Sequence, residues 1–350
     1  MVVDEVTQTD AYVEKIVPFA ADDGFDLNLI NVRTDQAPTR GPVLLVHGAG
    51  VRANLFRAPV QTNFVDALLQ QGYDVWLENW RASIDFAPNL WTLDQAAVFD
   101  HPAAVRKVVE QTGWDQIKAV IHCQGSTSFM MSALAGLVPQ VKTIVSNAVS
   151  LHTVVPRWSE FKLRFAVPML KLITPYANPQ WGIEAPTLPA KLITGLVRLT
   201  HHECRNTVCK LVSFIYGSGC PALWRHENLN DATHQWICGE FGHVPMSFFS
   251  QMARCVKRGH LVPVQGYSQL PADFAEHEPD TNARFAFFAG EKSGCFTTES
   301  QVRTYKHFCS FGRDDHSLNL VPRYSHLDVF IGKDAARDVY PQMLQELDKD

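Results

Sequence analysis

Apolar and polar positions alternate with a period of two near the start of the chain. In "YVEKIVPFA" and "FDLNLINVR", Phe25, Leu27 and Leu29 alternate with polar neighbours, and Asp23-Gly24 lies between the two runs. That pattern predicts a β-hairpin. A polar linker, "TDQAPTRG", then leads to the unbroken apolar run Val43, Leu44, Leu45 and Val46. Such a run suits a strand buried on both faces, as parallel strands between helices are. Comparable runs follow at "YDVWLENW", "IKAVIHC" and "VKTIVSNAV". Between the first two lies a helix signal, with Asp100 or His101 as cap, Pro102 in the first turn, Val105, Val108 and Val109 on one face, and Gly113 as stop. A second helix is expected after Cys123, through Phe129, Met130 and Leu134. Strand and helix signals alternating in this way predict an α/β fold with a mostly parallel, doubly wound sheet.

From Ser150 to Asp280 the rhythm breaks, with prolines at Pro156, Pro168, Pro175, Pro179, Pro186 and Pro189 among aromatic and helix-like pieces. It resumes with "ARFAFFAGE", a helix near Glu299 to Phe308, the strand "SLNLVPR" and a last helix holding Ala335, Val339 and Leu344. The expected organisation is therefore a core in two parts, residues 1–149 and 281–350, with a cap inserted at 150–280. The sequence holds no internal repeat or low-complexity tract.

Composition narrows the class. With 350 residues, 46% of them hydrophobic and 19% charged, the chain is long enough for one large core. A formal net charge of −5 provides no basic field for a polyanion, so nucleic acid is not an expected partner. The acidic start "MVVDEVTQTD" lacks the features of a secretory signal, and "KLRFAVPMLKLI" is too short, with lysines at both ends, for a membrane span. A cytoplasmic setting with free thiols is expected for the eight cysteines.

In open parallel sheets, ligands bind beyond the carboxyl ends of the strands. There the chain places His47-Gly48 with the loop "GAGVRAN", Cys123 within "AVIHCQGSTSF", and His326 within "VPRYSHLDVF". A nucleophile on a strand-to-helix turn, followed much later by a histidine, is the chain order of the α/β-hydrolase triad. The motifs "LLVHGAG", "GYDVWLENWRAS", "HCQGS" and "YSHLD" together resemble the α/β-hydrolase superfamily, in its lipase-like group. The His-Cys-x-Gly-Ser elbow is similar to that of hydrolase domains fused to flavin-dependent alcohol oxidases, and of fungal hydrolases that release or cyclise acyl chains. The resemblance covers nearly the whole chain outside the cap.

The chain departs from the usual pentapeptide at two positions, with Ile121 in place of the first glycine and Cys123 in place of serine. Gly125 is retained, where only a small residue lets the helix approach the strand, and Gln124 is expected in the strained turn conformation. Cys123 is expected to be the nucleophile. A thiol's free pKa of ~8.5 falls beside an imidazole and at a helix N-terminus. His326 is the expected base, with Asp328 as a local partner; His122 is expected to be a packing or hydrogen-bonding residue beside the elbow rather than a base, because strand neighbours point to opposite faces. The position where the resemblance implies an acid is held by Ser293 in "GEKS". Ser293, Glu291, Asp100 and Asp231 are all retained as candidates for that role. An oxyanion hole is expected from the backbone N–H groups of Ala49 and Gln124, with Arg52 and Asn54 as possible substrate contacts. "HHECRNTVC" offers His201, His202, Cys204 and Cys209, but its cysteine spacing is wider than in common zinc sites, so the segment is read as cap and no metal or other cofactor is expected.

These groups fit acyl transfer through a cysteine thioester, released by water or by an internal hydroxyl that closes a lactone. The expected partner is a small acyl substrate, delivered in one variant as a carrier-bound thioester. Trp158, Phe161, Phe165, Met169, Trp181, Phe214, Trp224, Trp236, Phe248 and Phe249 are expected to build an apolar acyl pocket. The rival expectation is a silent member of the same fold that binds a small apolar ligand.

Overall fold

The alternating run at the start forms the expected hairpin. In a computed structural model describing residues 6–8 and 12–349, β2 (Val13–Ala20) pairs antiparallel with β3 (Asp26–Arg33), and β1 (Val6–Gln8) adds outside β2. The unbroken apolar runs become β4 (Pro42–Val46), β5 (Asp74–Asn79), β6 (Ile117–His122) and β7 (Val141–Asn147). After a short ribbon of β8 (Tyr176–Ala177) and β9 (Val244–Pro245), the sheet is completed by β10 (Arg284–Gly290) and β11 (Ser317–Val321). The order is β1-β2-β3-β5-β4-β6-β7-β10-β11, parallel from β5 through β11. Val43, Leu44, Leu45 and Val46 are all fully buried, as are Phe285, Phe287 and Phe288 of β10. Each such side chain contributes about 1.5–3 kcal/mol, which favours burial of the strand on both faces over any one-sided register.

The chain leaves β4 for β5 on one side, then crosses back to β6 on the other. This reversal opens a crevice at the carboxyl ends of β4 and β6, where His47 and Cys123 lie. The segment carrying His326 is fixed from below by aromatic packing. Phe330 meets Phe64 at 5.2 Å and Phe56 at 5.1 Å between ring centroids, and Phe64 meets Tyr340 at 5.0 Å.

Two helices differ from expectation. The helix assigned to Asp100 or His101 begins earlier, at the Thr92 capping box, where Gln95 N–H donates to Thr92 Oγ1 and Thr92 N–H to Gln95 Oε1. A wider π-type turn over Ala96–Asp100 leads into the α-helix His101–Thr112, which Gly113 closes at φ 72°. Asp100 is therefore no cap. Its buried carboxylate accepts the backbone N–H and the guanidinium of Arg81. The last helix is broken into Ala335–Asp338 and Tyr340–Asp348, with Val339 between them at φ −121°.

Candidate active site

β6 remains extended through His122, and the chain then reverses at Cys123, whose φ is +55°. The left-handed residue is thus the cysteine itself and not Gln124, as expected from sequence. A non-glycine residue in that region costs about 1–2 kcal/mol. Two glycines permit the turn. A Cβ on Gly48 would lie 2.9 Å from Cys123 Cβ, and one on Gly125 would lie 2.1 Å from the His47 carbonyl oxygen. Ile121, at the pentapeptide's first position, points into the core and is fully buried.

The turn presents Cys123 Sγ to two backbone donors, the N–H groups of Ala49 and Gln124. Both favour the thiolate, yet burial dominates and pushes the Cys123 thiol up to about 12. This reverses the expected depression: the helix N-terminus is present, but it does not offset lost solvation. His326 is also buried, and burial lowers its pKa to about 3. Neither of its ring nitrogens has a hydrogen-bond partner among the described residues. Cys123, His326 and His122 each bring one ligating atom within 4.8 Å of the others. His122 packs and hydrogen-bonds beside the elbow, as expected, but on the His326 side, because alternation ends at the elbow. Its ring packs 4.9 Å from that of His326, and Asn147 Nδ2 donates to His122 Nδ1 at 2.9 Å and to the His326 carbonyl at 3.3 Å.

None of the expected acids bonds the imidazole of His326. Glu291 is exposed and Asp231 is exposed on the first turn of a short helix. Asp100 pairs with Arg81. The buried Ser293 hydroxyl, like the His326 ring, has no hydrogen-bond partner among the described residues. Asp328 accepts backbone N–H groups from Ser325 at 2.6 Å and Arg225 at 3.0 Å, and Asn228 Nδ2 at 2.8 Å. It holds the loop that carries His326 rather than the ring; burial raises its own pKa to about 6. Arg52 and Asn54 are also turned away from the thiol. Arg52 bonds Glu240, Asp85 and the Gly239 carbonyl, and Asn54 bonds Glu240.

One buried constellation was not anticipated. His101 Nδ1 lies 2.8 Å from Glu78 Oε1, and His101 Nε2 lies 2.7 Å from Ser128 Oγ. It imitates a serine triad, but all three groups are buried, Glu78 on β5, His101 on the helix His101–Thr112 and Ser128 on the helix that follows Cys123. Ser128 Oγ also lies 3.0 Å from the Gln124 carbonyl, so the chain of groups braces the first turn behind the thiol. The only sequence signal was Glu78, a charged residue inside an apolar run.

Above the thiol lies an apolar pocket of about 990 Å³ including its open mouth, lined by Cys123, Gln124 and mostly residues from between β7 and β10. Phe214, Phe248, Phe249 and Trp181 of the expected aromatic set line it, whereas Trp158, Phe161, Phe165 and Met169 face solvent and Trp224 is in the core. The segment of His201 and Cys204 is split: Cys204 and Cys209 gather with His226 and His234, while His201 gathers with Glu203 and Cys220. No helix among the described residues is long and apolar enough to cross a membrane.

The profile described as alpha/beta hydrolase fold matches residues 41–180. Lipase 1 of Drosophila melanogaster is 21% identical over 374 residues, covering 99% of this chain and 80% of that protein. Sterol esterase 2 of Saccharomyces cerevisiae is 26% identical over 132 residues, which is 33% of this chain but only 24% of that protein. A thermophilic esterase from Thermogutta terrifontis superposes with a TM-score of 0.57 at 12% identity, over 95% of this chain and 98% of that one. With the strand order, the elbow at Cys123 and the late histidine, these likenesses show that the chain has the α/β-hydrolase fold.

Proposed function

We propose that the protein is an acyl-transferring hydrolase in which Cys123 is the nucleophile and His326 the general base. The observation that carries the reading is the convergence of the Ala49 and Gln124 N–H groups on Cys123 Sγ. Donors placed there are placed for the oxygen of a carbonyl carbon bonded to that sulfur. The relatives named as lipase and esterase support ester hydrolysis as the general chemistry.

The resting pair is a neutral thiol and a neutral imidazole, so attack and proton transfer go together. The Sγ–H proton passes to His326 as the C–S bond forms, and the carbonyl oxygen becomes an oxyanion held by the two N–H groups. Collapse breaks the bond to the leaving group, which takes the proton from His326 and leaves a Cys123 thioester. Water, or a hydroxyl of the same acyl chain, then attacks the thioester. It gives its proton to His326, which returns it to sulfur as the acid or lactone departs. Forming a thioester from another thioester is nearly level in energy, while forming it from a plain ester is uphill. Acyl thioesters and activated lactones are therefore the favoured donors. The segment between β7 and β10 acts as the cap that holds an apolar chain and excludes water, which favours ring closure where chain ends meet.

Intact-protein mass spectrometry after mixing with hydroxyacyl thioesters tests this. The expected result is a mass gain equal to the acyl group, absent in Cys123→Ala and formed far more slowly in His326→Ala, where both the attack and the release lose their base. The released product, acid or lactone, then separates hydrolase from cyclase. A second reading rests on the missing carboxylate at His326: a silent member of the fold that binds an apolar ligand. No adduct and no turnover with any activated acyl donor would establish that second reading and overturn the first.

A further inference from the structure

Away from the elbow, a second group of ligating side chains comes together from four places in the chain. Cys204 lies in the loop before the helix Thr207–Tyr216, and Cys209 lies in that helix's first turn. His226 opens the short helix His226–Asn228, and His234 belongs to the helix Asp231–Trp236. One ligating atom from each lies within 4.8 Å of the other three. Cys209 Sγ and His226 Nε2 are 3.5 Å apart. In a tetrahedron with Zn–S of about 2.3 Å and Zn–N of about 2.0 Å, the S···N edge is about 3.5 Å. The His226 and His234 rings meet nearly at right angles at 4.8 Å, and His234 Nε2 is buried with no hydrogen-bond partner.

We propose that Cys204, Cys209, His226 and His234 form a closed, four-ligand site for a structural zinc ion. Two thiolates and two neutral imidazoles make a complex of no net charge, which suits a partly buried position. On binding, the two thiols give up their protons to solvent and no redox change occurs. Cys238 stands outside the set, with its Sγ engaged by Asn206 Nδ2 and by the His234 carbonyl. The helix that begins at this site ends at the pocket. Its residues Phe214, Ile215 and Tyr216 line the apolar wall, and Tyr216 OH donates to the Ala49 carbonyl on the oxyanion loop. A bound ion would thus fix one wall of the pocket from the far end of the helix.

Metal content of the full chain, purified without chelator and dialysed, gives the test. One zinc per chain is expected, retained in Cys123→Ala, Cys238→Ser and His201→Ala. In Cys204→Ser and His234→Ala, zinc affinity should drop roughly 100-fold or more, beyond the effect of losing an outer-shell partner. Replacing zinc with Co²⁺ in the wild-type chain should give the visible d–d absorption of a tetrahedral site and a sulfur-to-metal charge-transfer band, a readout that needs no folded variant. Three results overturn the proposal: wild-type protein that holds no zinc after zinc supplementation, zinc lost from Cys123→Ala but kept in Cys204→Ser, or a mass two protons short from a Cys204–Cys209 disulfide.

Discussion

Acidification from pH 7 to pH 5 should destabilise the fold, because imidazoles at the elbow are kept neutral. An unfolded histidine titrates near pH ~6.5. His47 and His326, both buried, are held down to about 3. Between those values the unfolded chain binds protons that the folded chain refuses, so stability falls as pH falls, by ~1.4 kcal/mol per pH unit for each site. Integrated from pH 7 to pH 5, each histidine costs about 2 kcal/mol and the pair about 4 kcal/mol. His122, also held well below its ordinary value by burial, acts in the same direction. Asp328 acts in the opposite direction. Its pKa is raised to about 6, so the folded chain takes up a proton first and regains about 1 kcal/mol. These elbow groups alone give a net loss of ~3 kcal/mol, to which His152 and His316, both held down to about 4 by burial, add in the same direction; that is a large part of a typical stability of ~5–15 kcal/mol. Guanidinium unfolding at the two pH values measures it, and His326→Asn should flatten the dependence by about half of the two-site effect. Equal unfolding free energies at pH 7 and pH 5 would refute the reasoning. The imidazoles would then be charged or solvated in the folded state, and a neutral-pair mechanism would fail with them.

Turnover of an acyl thioester should be level between pH 5 and pH 8, because neither Cys123, near 12, nor His326, near 3, titrates there; a bell with limbs inside that window would indicate a thiolate–imidazolium pair instead. Gly48→Ala places a methyl group 2.9 Å from Cys123 Cβ and should lower kcat/KM by ~100-fold while the chain still folds, read from steady-state kinetics and a thermal melt. Cys123→Gly should be more stable than Cys123→Ala by about 1 kcal/mol in urea unfolding, since only glycine is at ease at φ +55°. Ser128→Ala removes the partner of His101 Nε2 and should cost about 1–3 kcal/mol in the same assay, without abolishing the acyl adduct on Cys123.

The sheet was legible because its signal is local and redundant. Val43–Val46 and the later apolar runs need burial on both faces wherever they sit, and their order along the chain, broken after β7 and resumed at β10, fixes which elements share the sheet. That Cys123 and His326 would come together was legible because strand ends are where such a sheet exposes side chains. What was missed depends on contacts across the sequence or on a single backbone angle. Thr92 and Gln95 carry a capping signature, yet Pro102 marks a first turn equally well. Asp100 reads as a cap until Arg81, nineteen positions earlier, arrives to claim it. The side of the strand on which His122 lies depends on Cys123 having φ +55°, and alternation does not extend through such a turn. The ionisation of the thiol was misjudged for an energetic reason: two N–H donors favour the thiolate, but removal of nearly all solvent disfavours it more. Residues 201–209 offer four candidate ligands, and it is the fold that groups Cys204 and Cys209 with His226 and His234, which lie beyond a helix.

The high pKa of Cys123 also governs how the protein meets thiol reagents. Alkylating agents and peroxides react with thiolates, and at pH 7 a thiol titrating near 12 is ionised to only about one part in 10⁵. Iodoacetamide will therefore mark exposed Cys220 long before Cys123, and a reactivity survey of the cysteines would rank the proposed nucleophile near the bottom. An electrophile shaped as an acyl group, able to seat its oxygen against Ala49 and Gln124 and to hand a proton to His326, would invert that ranking. The same shelter predicts that an oxidising episode leaves the buried sulfur of Cys123 intact while exposed Cys220 takes the damage.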